Sequence, residues 1–312
     1  MFARWILLSR TAGPLRLLSA ALVMTTISAG CSQQMPDRAE RMPRGYVYYL
    51  DGAGGGGVVN WAGGVRQGLL DAGYNGAGEV FKWNTGRGVV ADQEASVGYK
   101  RSKAAECARS ILQYARENPG APVTLMGLSA GTAVTIFVLE ALPPTCPVEN
   151  VILLGASVSA DYDLTRALQR VRNRMYVFTS ENDAVLAFLV PMAGTADRSD
   201  SPPAGLRGFT MPPRPSTETR ALYAKVAYIR WQAEFVKAGN LGRHTDAVKA
   251  PFVQQYIAPL IMAGMARGTQ GASGTGRVRN PDYERWAAYA PGAWTTFEGY
   301  QLVNGQKHNI RM

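Results

Sequence analysis

From residue 46 to about 265, short apolar runs alternate with longer stretches that repeat at helical spacing. Residues 46–50 (YVYYL) open the pattern, followed by the loop DGAGGGG at 51–57. A helix is expected over 61–72 and a strand over 79–83. A longer helix is expected over 99–118, where Ala104, Ala105, Ala108, Ile111 and Leu112 share one face. Pro119-Gly120 ends it. The run 123–127 leads into Ser129 and a helix to about residue 142, stopped by Pro143-Pro144. Strands at 151–154, 175–179 and 226–231 and helices at 162–171 and 249–265 complete the series. Most of these strands are continuous apolar runs, which signals burial on both faces. The expected architecture is α/β: a three-layer αβα sandwich around a mostly parallel central sheet, occupying 45–265.

Two regions interrupt the rhythm. Residues 191–222 are rich in Pro, Gly, Ser and Arg and exceed an ordinary connection. They read as a lid or insertion, or as a surface excursion without a role. Residues 266–282 read as a flexible linker, and 283–312 as an aromatic C-terminal tail (Tyr283, Trp286, Tyr289, Trp294, Phe297, Tyr300).

The N-terminus reads as a bacterial export signal over 1–31. Arg4 and Arg10 lie in a basic start, Arg16 abuts the apolar run 17–27, and Ser28, Ala29 and Gly30 precede Cys31. That run is too short for a stable spanning helix. The ending matches a lipoprotein signal in which Cys31 is lipidated, although Ser28 stands where Leu is usual; ordinary cleavage nearby is the alternative. A lipidated Cys31 would hold the protein at a membrane surface in the cell envelope, with 32–44 as a polar tether. Export also permits a disulfide between Cys107 and Cys146, but sequence does not give their distance.

Hydrophobic residues make up 46% of the 312, enough for a sizeable core, and charged residues 18%, which argues against wholesale disorder. The net charge is +10, and without the three N-terminal arginines about +7. Such a balance suits an anionic surface or acidic substrates, or simply a basic soluble enzyme. No Lys/Arg block with interleaved aromatics supports nucleic-acid binding. With two well-separated histidines, no cluster has metal-ligand spacing, and no cofactor is expected.

The chemistry centres on Gly127-Leu128-Ser129-Ala130-Gly131, which fits G-x-S-x-G. A hydroxyl is a weak nucleophile and must be presented on a sharp, exposed turn. The flanking glycines allow a strand and a helix to pack around it. A buried strand before it (VTLM) and an apolar helix after it (AVTIFVL) supply the context the motif requires. His244, in the loop between the last strand and the last helix, is favoured as the base over His308, which lies beyond the linker. Asp183, in Ser180-Glu181-Asn182-Asp183 after a strand, is the favoured acid; it could also cap a helix. Asp161, Asp163, Glu181 and Asp246 are the other acid candidates. Ala130 should donate one backbone N–H to an oxyanion, and the Gly52–Gly54 loop a second, from Ala53 or Gly54.

From residue 46 to 262 the chain resembles the α/β-hydrolase superfamily, in particular its exported lipase- and esterase-like members. The likeness rests on the Gly-rich loop after the first strand, the turn at Ser129, Asp183 after a later strand and His244 before the last helix. Asp51 and Leu128 stand where many relatives have His, and two opening antiparallel strands are not apparent. The resemblance implies attack on a small-molecule or lipid ester through an acyl-Ser129 intermediate. Two other readings compete. One is a non-catalytic binding protein on the same fold. The other is a dinucleotide site at Gly52–Gly57, which fits G-x-G-x-x-G but lacks an acid at the end of the next strand, FKWN.

Overall fold

The computed structural model describes residues 35–55, 61–270, 298–303 and 306–311, the last two as backbone. The expected export signal with Cys31, the start of the expected tether, and residues 271–297 of the expected linker and tail lie outside the described residues.

Six strands form one sheet: β1 Tyr46–Leu50, β2 Ala77–Val80, β3 Val123–Leu128, β4 Val148–Leu154, β5 Val171–Thr179 and β6 Val226–Arg230. Their spatial order is β2-β1-β3-β4-β5-β6, and every pairing is parallel. The helices used below are α1 Ala62–Asp71, α2 Val89–Glu94, α3 Val97–Glu117, α4 Ala130–Ala141 and α5 Ala258–Gln270.

Strand alternation divides the core. Tyr46, Tyr48, Leu50, Leu125, Val151, Leu153 and Val177 pack with α3 and α4 on one face. Val47, Tyr49, Met126, Leu128, Ile152, Leu154 and Phe178 pack with α1 and residues 252–261 on the other. The continuous apolar runs are thus two interleaved apolar faces, each with its own helical layer. Helix α4 is buried along nearly its whole length, which explains why its sequence is apolar all round. A Ser96 hydroxyl caps α3 by accepting the Tyr99 amide at 3.1 Å.

Several expected boundaries change. The helix expected over 162–171 is one turn, Thr165–Leu168, and β5 already starts at Val171. Residues 35–44 are not a free tether. Arg41 donates to the Tyr74 carbonyl at 2.7 Å, Tyr114 hydroxyl to the Met42 carbonyl at 2.6 Å, and Arg38 to Tyr46 hydroxyl at 2.7 Å. Residues 191–222 contribute Ala196, Ala204, Phe209 and Leu222 to the core. Their backbone also joins the β4 exit: Ala196 N–H donates to Ser157, Ala204 to Val158 and Gly205 to Ala156, at 2.7–2.9 Å. This segment is stitched to the sheet rim. Residues 266–270, expected in the linker, continue α5 to Gln270. Cys107 and Cys146 are free thiols, so the permitted disulfide is not formed. Within the tail, β7 Glu298–Val303 and β8 Gln306–Arg311 form an antiparallel hairpin in a separate compact unit, Ser273–Met312. His308 lies on β8, opposite Gln301.

Candidate active site

From β1 the chain goes to β2 on one side, then returns past β1 to β3 on the other. The strand order reverses between β1 and β3, and the crevice at their carboxyl ends is where such sheets bind ligands. Ser129 and the loop 51–55 stand there.

Ser129 follows β3 directly, at φ 51° and ψ −123°. A β-carbon is disfavoured at that φ, at a cost of about 1–3 kcal/mol, so surrounding contacts must impose it. They do: the Ser129 amide donates to Leu154 O at 3.0 Å, and its carbonyl accepts from the Thr132 amide at 3.0 Å and the Thr132 hydroxyl at 2.5 Å. The two glycines of the motif are required by space. A β-carbon on Gly127 would lie 2.4 Å from Thr135 Oγ1, and one on Gly131 would lie 2.3 Å from the Leu50 carbonyl oxygen. Strand, turn and helix therefore close to a distance that a methyl group would forbid.

Asp183 follows β5 and is 2% exposed. Its Oδ1 accepts the Leu186 amide at 3.0 Å, so it does cap the helical turn after it. Its Oδ2 lies 2.7 Å from His244 Nδ1. An ionised carboxylate only accepts, so in this pair the donor role falls to Nδ1. Gly155, directly after β4, lies beside both partners: a β-carbon there would lie 3.3 Å from His244 Nδ1 and 3.4 Å from Asp183 Oδ2. Leu154, which holds the Ser129 amide, is the preceding residue. One dipeptide thus links the turn to the His–Asp pair.

The loop bearing His244 is built as a unit. Ser180 hydroxyl donates to the Gly242 carbonyl at 2.7 Å, and the Gly242 amide to Asn240 Oδ1 at 2.8 Å. Asp246 Oδ2 accepts the Leu241 and Arg243 amides, and Lys249 pairs with Asp246 Oδ1. Asp246 therefore shapes the loop. The other acid candidates are also engaged elsewhere. Glu181 pairs with Arg207 at the surface, Asp161 accepts from Ser201, and Asp163 caps Thr165. Asp183 and His244 line a pocket of about 30 Å³, room for roughly one water, together with Trp231, Phe235 and Asn240. Beside the Asp183 loop a surface cleft of about 480 Å³ opens between Asn182, Arg207, Arg230 and Trp231.

The loop 51–55 packs against the turn: a β-carbon on Gly52 would sit 3.4 Å from Ser129 Cβ. Asp51 beneath it is fully buried, and burial raises its carboxyl to about 6 although the Gly52 amide and Tyr49 hydroxyl donate to it. Of the two amides expected to serve an oxyanion from this loop, Gly54 is spent: it donates to Asp92 Oδ2 at 2.7 Å. The Ala53 amide has no acceptor among the described residues. Ala130 is the first residue of α4, where amides lie outside the helical ladder. Asp92, Asn84 and Gly155 had no motif to mark them. Asp92 sits on a six-residue helix whose place over the loop depends on tertiary contact. Among the described residues no His/Cys/Asp/Glu group could hold a metal ion, and no helix is long and apolar enough to cross a membrane.

A scan of protein-family models and a search of curated protein sequences found no match. Similar solved structures include the esterase Est1E from Butyrivibrio proteoclasticus, with a TM-score of 0.43 and 8% identity over 75% of this chain and 93% of that one. A cutinase-like protein from Cryptococcus sp. gives 0.34 and 15% over 73% and 93%. A puromycin-hydrolyzing peptidase of Mycobacterium tuberculosis gives 0.37 and 14% over 72% and 34%. The architecture itself, a parallel six-stranded sheet between helical layers with a Gly-x-Ser-x-Gly strand–turn–helix at its switch point, is an α/β-hydrolase-like fold.

Proposed function

We propose that this chain is a serine hydrolase that cleaves an ester-type bond through an acyl-Ser129 intermediate. The observation that carries the reading is the 2.7 Å pairing of His244 with the buried Asp183, tied through Leu154–Gly155 to a strained Ser129 turn. Nothing in a merely structural loop requires a buried carboxylate against an imidazole and a positive-φ serine on the same rim.

In this mechanism Ser129 Oγ attacks the substrate carbonyl while His244 Nε2 takes its proton. Asp183 holds the Nδ1–H tautomer and stabilises the imidazolium that forms. The Ala130 amide, backed by the α4 dipole, and the Ala53 amide stabilise the oxyanion. His244 returns the proton to the leaving alcohol, and water, activated the same way, releases the acyl group. No cofactor takes part. The substrate is a small-molecule or lipid ester. A lipid at Cys31, if processed as the signal suggests, would present the enzyme at an envelope membrane.

The test is labelling of the purified protein with a fluorophosphonate, with peptide mass spectrometry to locate the adduct, alongside hydrolysis of p-nitrophenyl esters. The expected adduct is on Ser129. Ser129→Ala and His244→Ala should lower kcat by about 10⁴–10⁶, and Asp183→Asn by about 10⁴. Wild-type hydrolysis in all three variants would overturn the assignment, and an unlabelled wild type would favour a binding protein on this fold.

A further inference from the structure

The loop after β1 is held peptide by peptide. Trp83 Nε1 donates to the Asp51 carbonyl at 2.7 Å, and the Gly52 amide donates to Asp51 Oδ1 at 2.8 Å. Asn84 Nδ2 donates to the Gly52 carbonyl at 3.0 Å. The Gly54 amide goes to Asp92 and the Gly55 amide to the Gly52 carbonyl. Ala53 is the amide of this set without an acceptor among the described residues. A trans peptide holds its C=O and N–H in opposite directions, and no described peptide is cis. Drawing the Gly52 carbonyl towards Asn84 therefore aims the Ala53 N–H away from it.

Asn84 is itself aimed. Its Nδ2 donates to Asp92 Oδ2 at 2.8 Å, which uses its second hydrogen. Asp92 is 1% exposed and accepts four hydrogen bonds: the Gly54 amide and Asn84 on Oδ2, the Thr85 amide and hydroxyl on Oδ1 at 2.6 Å each. Among the described residues each of these four partners is placed to donate to it, which suits an ionised carboxylate. Burial pushes its pKa up, but these donors together outweigh it and hold it below the ordinary value. An amide at this position would turn an N–H₂ towards one pair of donors. The helix carrying Asp92 is anchored in turn. Gln93 Nε2 donates to the Gly194 carbonyl at 3.0 Å, and the buried Lys100 ammonium to the Gln93 and Ala196 carbonyls.

We propose that Asp92, acting through Asn84 and the Gly54 amide, is a positioning residue that aims the Ala53 N–H at the oxyanion. The inference rests on Ser129 being the nucleophile. It assigns catalytic weight to an acid outside the Ser–His–Asp set, and makes residues 194–196 the support of the oxyanion loop.

The test uses Asp92→Asn, Asn84→Ala, their double variant and Thr85→Val in the full chain. It measures kcat and KM on p-nitrophenyl butyrate, the rate of Ser129 modification by a fluorophosphonate, and thermal unfolding by circular dichroism. The phosphonyl oxygen occupies the oxyanion position, so its rate reports the hole directly. Asp92→Asn and Asn84→Ala should each lower kcat by about 10–100-fold, with KM within about twofold and the labelling rate falling in step. The double variant should be no worse than Asn84→Ala by more than a few-fold, because both act on the same amide. The pH profile should keep its shape, since His244 and Asp183 are untouched. Thr85→Val, which removes one of the four donors near the surface, should lose a few-fold and remains informative if Asp92→Asn fails to fold. Folded variants with kcat and labelling within about twofold of wild type would overturn the proposal, as would a loss confined to KM. A wild type that does not label at Ser129 removes the nucleophile reading and this inference with it, whereas a labelled wild type with unaffected variants removes this inference alone.

Discussion

At the residue scale the site is defined by positions where the local preference of the chain is overridden. Ser129 is the clearest: its φ of 51° suits glycine, and its own amide and carbonyl are each held to keep it there. A turn held in this way stores backbone strain. Ser129→Gly should therefore be more stable than Ser129→Ala by about 1 kcal/mol, and both should be inactive. Calorimetry of the two variants decides this, and an alanine variant as stable as the glycine one would remove the strain argument. Ser129 and His244 were legible in the sequence because a motif and the scarcity of histidine pointed to them. Asp183 was legible as one of several acids after strands. The rejection of Asp161, Asp163, Glu181 and Asp246 needed their actual hydrogen-bond partners.

At the element scale, the closeness of β3, α4 and the β1 loop fixes the site. Gly131 faces the Leu50 and Asp51 carbonyl oxygens, and a β-carbon there would meet them at 2.3 and 2.4 Å. Both neighbours are backbone and cannot swing aside. Gly131→Ala should cost about 2–4 kcal/mol and slow fluorophosphonate labelling, because α4 must retreat from the loop that carries Ala53. Urea unfolding checks the first part, and an unchanged midpoint would contradict the packing account. The strands and long helices were readable from apolar periodicity. The short helix α2 and the fixation of 191–222 were not, since their order comes from Gln93, Lys100 and backbone pairing with 156–160 across long sequence separations.

At the scale of the whole molecule, two buried charges shape stability against pH. Asp51 has a folded pKa of about 6 against an ordinary 3.8, caused first by burial. A carboxyl raised in this way contributes stability that is complete below about pH 4 and is lost as pH rises through 6, a cost of roughly 3 kcal/mol at neutral pH. Lys100 is lowered by burial from 10.5 to about 8. Its cost is present below pH 8 and is relieved between 8 and 10.5. Asp51→Asn keeps an acceptor for the Gly52 amide and Tyr49. It should melt above the wild type at pH 7.5 by several degrees and within a few degrees of it at pH 4.5. A gap of equal size at both pH values would show that ionisation is not the cause.

The sequence by itself determined the layered α/β class, the strand–turn–helix at Ser129 and the histidine and acid types that stand in the candidate site. These are local: apolar periodicity, glycine spacing and turn residues act within a few positions of one another. The tertiary structure alone decided which acid meets His244, which loop amide has no acceptor among the described residues and that Asp92 closes on Gly54 across 38 residues. Those choices are set by which carboxylate is buried against which donor, and a linear chain does not specify that until the sheet has brought its strand ends together.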